Sequence, residues 1–342
     1  MKKQKILIIS LIIIALIGVI AGGTGYYLFL SPQFNIDKTT YIYIDNNDNI
    51  DSVYNKIETN ANPGTLWGLK LLTDKYDYSK NIKTGKYEIK SNDNIKSLFR
   101  KLSRGYQTPV QLTIPSVRTV DRLVRTLSKQ LMSDSLELAK VIEDSVICKS
   151  IGYNKETLPA LFIPNTYEVY WNITPQQLLE RLVKENKRFW NEERMKKAKQ
   201  INLTPIEVST LASIVEEETA NNQEKPMVAG LYINRLQKGI LLQADPTVKF
   251  GLQDLGLRRI LNKHLLVDSP YNTYKYAGLP PGPIRIPSIK GIESVLNYTK
   301  HKYIYMCAKE DFSGTHNFAE NVSQHQANAR RYQQALNQRN IK

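Results

Sequence analysis

The sequence predicts an α+β protein behind a single N-terminal transmembrane helix. Three patterns carry that expectation: an uncharged apolar run from Ile6 to Leu30, a strand–turn–helix theme that occurs twice before residue 108, and a longer stretch beyond it where short strands and helices alternate. The expected boundaries are a cytoplasmic tail at residues 1–5, the transmembrane helix at 6–30, a small α+β module at 37–108 and a mixed α/β domain at 109–342.

The apolar run is long enough to cross a bilayer as a helix. Lys2, Lys3 and Lys5 precede it, and positive residues at that end keep the N-terminus in the cytoplasm. A cleaved signal peptide is the rival reading, because Ala21-Gly22-Gly23 offers small residues. The run continues through Tyr26, Tyr27, Leu28, Phe29 and Leu30, beyond a usual signal core, and the tyrosines suit a membrane interface. A retained, single-pass anchor in the inner (cytoplasmic) membrane is therefore expected, with the rest of the chain on its outer side.

Lys and Arg exceed Asp and Glu by 15 over the 342 residues, and they are dispersed. No basic arm and no zinc-type spacing points to nucleic acid. A dispersed positive surface suits an anionic neighbour, such as a lipid headgroup or an acidic polymer, or is simply solvated. Cys148 and Cys307 form neither a metal motif nor a disulfide framework, and two buried thiols are expected. No metal or cofactor is expected; the available histidines are His264, His301, His316 and His325.

In the first module, Tyr41 to Ile44 alternates like a strand, Asn46 to Asn49 is turn chemistry and Ile50 to Ile57 reads as a helix. The theme returns with strand Gly85–Ile89, turn Ser91–Asn94 and helix Ile95–Leu102. Glycan binding and a plain spacer are equal readings of this module. Beyond it come a strand at Leu112–Pro115 and a helix from Thr119 to Leu131. The aromatic stretch Leu161–Trp171, with Asn165 and Glu168, is either core or the lining of a sugar cleft. Gln176 to Lys199 reads as one long basic helix.

The second domain is organised around Leu211-Ala212-Ser213-Ile214-Val215-Glu216-Glu217-Glu218-Thr219-Ala220. Thr204, Pro205 and Glu207 form a capping box with proline at the first helical position, and Asn221 and Asn222 suit the end. Leu211, Ile214 and Val215 precede Glu218 by seven, four and three residues, on its face. Glu216 points roughly the opposite way. The apolar face thus ends in the Glu218 carboxyl, whose charged form is disfavoured there, as a general acid working near neutral pH requires. A surface acid run at a helix end is the plainer reading.

A second helix follows from about Gln223 to Lys238, stopped by Gly239. Loops rich in Pro, Gly, Asn, Tyr and Thr come next, suited to a polar, uncharged ligand such as a glycan or to ordinary loop chemistry. Strand Tyr303–Met306, the segment Gly314–Phe318 and a helix from near Asn321 close the chain.

Several segments occur in family order: Leu211–Thr219, Ile233-Asn234-Arg235-Leu236, Leu242-Gln243-Ala244-Asp245-Pro246-Thr247-Val248, Tyr271-Asn272-Thr273-Tyr274 and Gly278-Leu279-Pro280-Pro281-Gly282. The chain resembles the endolytic murein transglycosylase, MltG (YceG-like), family over nearly its whole length. The resemblance labels residues 37–108 a LysM-like module and 109–342 a YceG-like catalytic domain. It implies cleavage of the β-1,4 bond between N-acetylmuramic acid and N-acetylglucosamine inside peptidoglycan strands without water, leaving a 1,6-anhydro end. It implies nearby peptidoglycan synthases and a role in ending nascent strands.

The family's catalytic glutamate falls on Glu218, the residue that the helical-face argument selects independently. Glu216 and Asp245 are read as supporting, and Asn234, Gln243, Thr247, Tyr271, Asn272 and Tyr274 as substrate-binding. His316 is equally a site residue or a structural one. Only Glu217 departs from the motifs. Two other classes stay open, a muramidase-type hydrolase and a non-catalytic glycan-binding scaffold for synthases.

The anchor reading has a direct test. The full chain is expected to fractionate with membranes and to need detergent, and a chain starting at Ser31 to be soluble and folded. Recovery of a mature N-terminus near Gly22 from cells would count against it.

Overall fold

Helix α1 (Lys2–Phe29) takes in the apolar run up to its last residue in the computed structural model, which describes residues 2–257 and 260–339. The helix is long and apolar enough to cross a membrane, and of its side chains only Leu28 is buried. The chain divides into two units. The first comprises Met1–Leu112 with Gln130–Met132 and Glu168–Ile173. The second comprises Thr113–Lys129, Ser133–Tyr167 and Thr174–Lys342.

The first unit holds β1 (Thr40–Ile44), α2 (Ile50–Ala61), α3 (Trp67–Lys75), β2 (Gly85–Ile89) and α4 (Ile95–Arg104). β1 and β2 pair antiparallel, with Thr40 opposite Ile89 and Ile44 opposite Gly85. Alternation sends Ile42 and Ile44 into the core while Tyr41 and Tyr43 stay exposed. The Asn-rich clusters end in helix caps. Asn49 accepts from the Ser52 amide, and Asn94 forms a reciprocal capping box with Ser97. The sequence pattern does not announce α3, which has a glycine inside and no side-chain cap.

The chain continues through β3 (Val110–Thr113), α5 (Val120–Ser128), α6 (Ser135–Ile142), α7 (Ser145–Ser150) and β4 (Thr166–Val169). β3 and β4 form one two-stranded sheet. Within the aromatic stretch Leu161, Phe162, Ile163 and Tyr167 are core, while Asn165, Glu168 and Tyr170 are exposed. The expected long basic helix is instead two, α8 (Pro175–Phe189) and α9 (Glu192–Gln200). The Asn191 side chain caps the second by accepting from the Arg194 amide. Asn followed by two glutamates is an N-terminal signature that a continuous basic pattern hides.

Next come α10 (Pro205–Glu218), α11 (Lys225–Gln237), α12 (Asp245–Gly251), α13 (Ile289–Leu296), the antiparallel pair β5 (Tyr305–Ala308) and β6 (His316–Ala319), and α14 (Val322–Gln338). Helix α10 starts as its sequence predicts: Thr204 Oγ1 accepts from the Glu207 amide, and Glu207 accepts from the Thr204 amide. The expected one-sided apolar face proves to be enclosure on all sides, since every residue from Val208 to Val215 is buried. Hydroxyls make this tolerable. Ser209 and Thr210 donate to carbonyls four residues back and Ser213 to one three back, while Ser213 Oγ also accepts from the Ile284 amide at 3.0 Å.

Gly230 marks where α11 meets a neighbouring segment. A Cβ there would lie 2.3 Å from the Thr299 carbonyl oxygen and 2.7 Å from His301 Nε2. Gly230→Ala is therefore expected to destabilise the second unit by about 1–3 kcal/mol through overpacking, despite alanine's better helix propensity. Thermal denaturation checks this, and an unchanged or raised Tm would contradict the close approach.

Candidate active site

Helix α10 ends at Glu218, where the backbone turns extended at Thr219. The Glu218 side chain is half-buried and lines a cavity of about 350 Å³. Helix α11 supplies the facing wall through Leu231, Tyr232 and Arg235. At 100° per residue, Tyr232 and Arg235 share a face, while Asn234 points away. The segment entering α12 adds Gln243 and Asp245: Leu242 and Ala244 are buried in the core, whereas Gln243 and Asp245 are exposed and line the cavity. Tyr274, β5 residues Tyr305 to Ala308, His316 and His325 complete the lining.

Hydrogen bonds hold this shell. The Tyr232 hydroxyl donates to Glu218 Oε1 at 2.6 Å, and the Tyr274 hydroxyl to Asp245 Oδ1 at 2.6 Å. Arg235 donates to Gln243 Oε1 at 2.5 Å and to the carbonyls of Leu241 and Ile304 at 2.9 and 2.8 Å. It thereby ties the Gln243 segment to the approach of β5. Gln243 sits in the left-handed region, φ 50°, and its amide donates to the Thr273 carbonyl at 3.0 Å. Such a conformation persists only where the surroundings hold it.

Removal from water pushes the Glu218 carboxyl up to about 7 from an ordinary 4.5. The Tyr232 hydrogen bond opposes that rise, and the nearby Asp245 charge adds to it. Tyr232, Tyr274 and Cys307 are likewise raised by burial. Burial lowers Arg235 and His325. Glu218 is thus a carboxyl that both holds and releases a proton near neutrality. Burial favours the neutral forms of Tyr232, Tyr274 and Cys307 around it.

The cavity brings together Glu218, Gln243, Asp245 and Tyr274 of the residues singled out in sequence, with His316. Asn234, Thr247, Tyr271 and Asn272 lie outside its lining. Asn234 donates to the carbonyls of His301 and Tyr303. Buried Thr247 bonds Thr273, and buried Asn272 donates to the carbonyls of Leu265 and Val267. Tyr271 packs on Phe250, with ring centroids 4.6 Å apart. Glu216 turns away and accepts from the Ser288 amide at the start of α13 at 2.8 Å. Glu217 is held by Arg118 at 2.7 and 3.0 Å and by Arg285 at 2.8 Å.

Sequence reasoning missed Tyr232 and Arg235, although both precede or share the Ile233–Leu236 segment. The available signal was their i, i+3 spacing on one face of α11. It also missed Glu224, which is nearly buried and accepts from the His316 amide at 2.6 Å and pairs with His316 Nδ1 at 3.0 Å. Both cysteines are free thiols, Cys148 buried and Cys307 in the cavity wall.

Comparison with known proteins fits this arrangement. A profile described as the YceG-like family matches residues 42–331. The chain belongs to the YceG-like family. Within it, a Streptococcus pneumoniae protein (serotype 2, strain D39) named endolytic murein transglycosylase is 28% identical over 95% of this chain. The match covers 64% of that relative, so this chain corresponds to somewhat less than two thirds of it. A Bacillus subtilis (strain 168) protein of the same name is 27% identical over 78% of this chain and 77% of its own length. A crystal structure of a yceG-like protein from Listeria monocytogenes matches with a TM-score of 0.55 at 24% identity, covering 85% of this chain and 99% of that one. That likeness bears on the fold.

The raised Glu218 carboxyl has a cost with a definite sign. Between about 4.5 and about 7 the folded protein keeps a proton that the unfolded chain has lost. Unfolding then releases protons, so this group's contribution to stability falls as pH rises through that window. Glu218→Gln is expected to be more stable than the parent above pH 7 by roughly 1–3 kcal/mol, the gap closing below about pH 4.5. Denaturant melts at both pH values measure it. A gap that is independent of pH would contradict the assignment.

Proposed function

We propose that this chain is a membrane-anchored lytic transglycosylase that cuts the N-acetylmuramic acid–β-1,4–N-acetylglucosamine bond inside peptidoglycan strands. The single observation that carries the reading is Glu218 at the end of an enclosed helix, bordering a polar cavity, with its carboxyl raised to about 7. The names of the Streptococcus and Bacillus relatives support the same substrate and reaction.

In the proposed mechanism Glu218 starts protonated, with Tyr232 bonded to Oε1, and Oε2 carries the proton to be exchanged. The proton passes to the glycosidic oxygen as its bond to the muramic acid C1 breaks. The glucosamine side then leaves as an alcohol. The Glu218 carboxylate next takes the proton of the muramic acid 6-hydroxyl, whose oxygen bonds to C1. The product is a 1,6-anhydro ring, no water is consumed, and Glu218 returns to its starting state. The attack is intramolecular, so ring geometry supplies proximity that a hydrolase must build with bound water. Arg235, Gln243, Asp245 and Tyr274 offer donors and acceptors to the sugar hydroxyls and the N-acetyl group. The LysM-like first module is proposed to bind glycan. The N-terminus is proposed to lie in the cytoplasm, with the catalytic domain on the outer side of the inner membrane beside peptidoglycan synthases.

One observation favours a second reading. Asp245 lines the same cavity as Glu218, and two carboxyls on one site are the equipment of a hydrolase. Digestion of murein by the purified protein in ¹⁸O-labelled water separates the two. Transglycosylation is expected to yield unlabelled 1,6-anhydro ends from internal cuts. Label at the new muramic acid end means hydrolysis.

Two variants test the acid. Glu218→Gln is expected to lower turnover by about two to four orders of magnitude with the fold intact. Activity of the parent is expected to fall above about pH 7 as Glu218 loses its proton. Tyr232→Phe removes the hydrogen bond that favours the carboxylate, so that alkaline limb is expected to move to higher pH. A shift to lower pH would refute the role given to Tyr232.

A further inference from the structure

The end of α1 is built into the first unit. Gly68 of α3 approaches so closely that a Cβ would lie 2.4 Å from the Leu28 carbonyl oxygen. Gln33 Nε2 donates to the Tyr27 carbonyl at 2.6 Å, and the Leu30 and Ser31 amides donate to the Tyr26 carbonyl at 2.9 and 3.0 Å. The helix end is therefore packed and hydrogen-bonded into this unit. About 20 residues cross the hydrocarbon. Counted from Ile6, they end near Gly25, which sets Tyr26 to Leu30 at the level of the headgroups.

At that level lies an open groove of about 770 Å³ among α1, α3 and α4. Its apolar side is formed by Phe29, Leu30, Leu71, Leu72 and Phe99. Its rim carries Lys75, Lys96, Arg100 and Arg104, and no carboxylate lines it. The last three are spaced by four residues along α4 and so form one stripe. All four cations are exposed, and none is joined to an acid by an ion pair among the described residues. Trp67, Leu71 and Tyr76 are exposed beside them, the residue types that settle at a bilayer interface.

We propose that this groove binds one anionic phospholipid of the outer leaflet. The phosphate would meet the α4 cations, and the start of an acyl chain would lie along Phe29, Leu71 and Phe99. Charge complementarity and continuity with the spanning helix argue for that occupant. A zwitterionic lipid offers no net charge to four cations, and a free polar ligand leaves the apolar side bare. The bound lipid holds the first unit against the membrane.

The proposal rests on the membrane-spanning reading of α1, which alkaline carbonate extraction of membranes tests separately. It does not depend on glycan cleavage. The full chain in non-ionic detergent is titrated with phosphatidylglycerol and, in parallel, with phosphatidylcholine of matched chain length. Bound lipid is counted by native mass spectrometry. One phosphatidylglycerol per chain is expected, retained in preference to phosphatidylcholine. Each cation removed is expected to cost about fivefold in phosphatidylglycerol affinity, or about 100-fold for Lys96→Gln, Arg100→Gln and Arg104→Gln together. Arg100→Gln alone, at an exposed position, covers the case where the triple variant fails to fold. A control triple, Lys140→Gln, Lys187→Gln and Lys196→Gln, removes the same charge elsewhere and is expected to leave retention unchanged. Equal retention of the two lipids, or equal loss in the control, overturns the groove as a site.

Discussion

The second unit depends on keeping one carboxyl short of water at the end of a helix that is enclosed on every side. An enclosed helix needs apolar or self-satisfied residues all round, and α10 has them. Valine, leucine and isoleucine fill the core, while Ser209, Thr210 and Ser213 return their hydroxyl protons to the helix's own backbone. Enclosure leaves little freedom at the helix end, so Glu218 is delivered to the cavity wall by a rigid element rather than by a loop. Desolvation then sets its protonation, and Tyr232 moderates it.

The three consecutive glutamates show how a helix distributes one side-chain chemistry among different tasks. Successive residues turn by 100°, so three neighbours cannot share an environment. Glu218 reaches the cavity. Glu217 is neutralised by Arg118 and Arg285, and Glu216 accepts from the amide that opens α13. The two structural glutamates anchor the last turn of α10 to its surroundings.

The opposite side of the cavity is held by backbone acceptors. Arg235 bridges the carbonyls of Leu241 and Ile304 and reaches Gln243. Thr247 and Thr273 bond one another beneath the segment that presents Gln243 and Asp245. Most of these partners belong to loops rich in Pro, Thr, Asn and Tyr. Their density of hydrogen-bonding groups therefore serves two ends: part of it fastens the loops, and only the remainder faces the cavity. Asn272, which has the chemistry of a sugar ligand, belongs to the first part: its amide donates to the carbonyls of Leu265 and Val267.

Local signals in the sequence were sufficient for what local physics decides. The apolar run behind three lysines, the Thr204–Glu207 capping box, strand Gly85–Ile89 and the spacing of Leu211, Ile214 and Val215 from Glu218 each depend on residues a few positions apart. Each is legible without a fold. The break at Asn191 was legible too, but a continuous basic pattern outweighed one cap residue. What the chain could not declare is which polar side chain meets which partner across tens of residues. Tyr232 reads as ordinary core until α11 packs beside α10 and its hydroxyl meets Glu218. Glu224 carries no signal in the sequence, and it meets His316 only once β6 is in place. Helix α10 reads as one-sided until α11, α13 and the Ile284 segment close around it. Burial and hydrogen-bond partnership are properties of the packed chain. They alone separate the carboxyl that borders the cavity, pushed up by burial, from the two beside it that are tied to Arg118, Arg285 and the Ser288 amide.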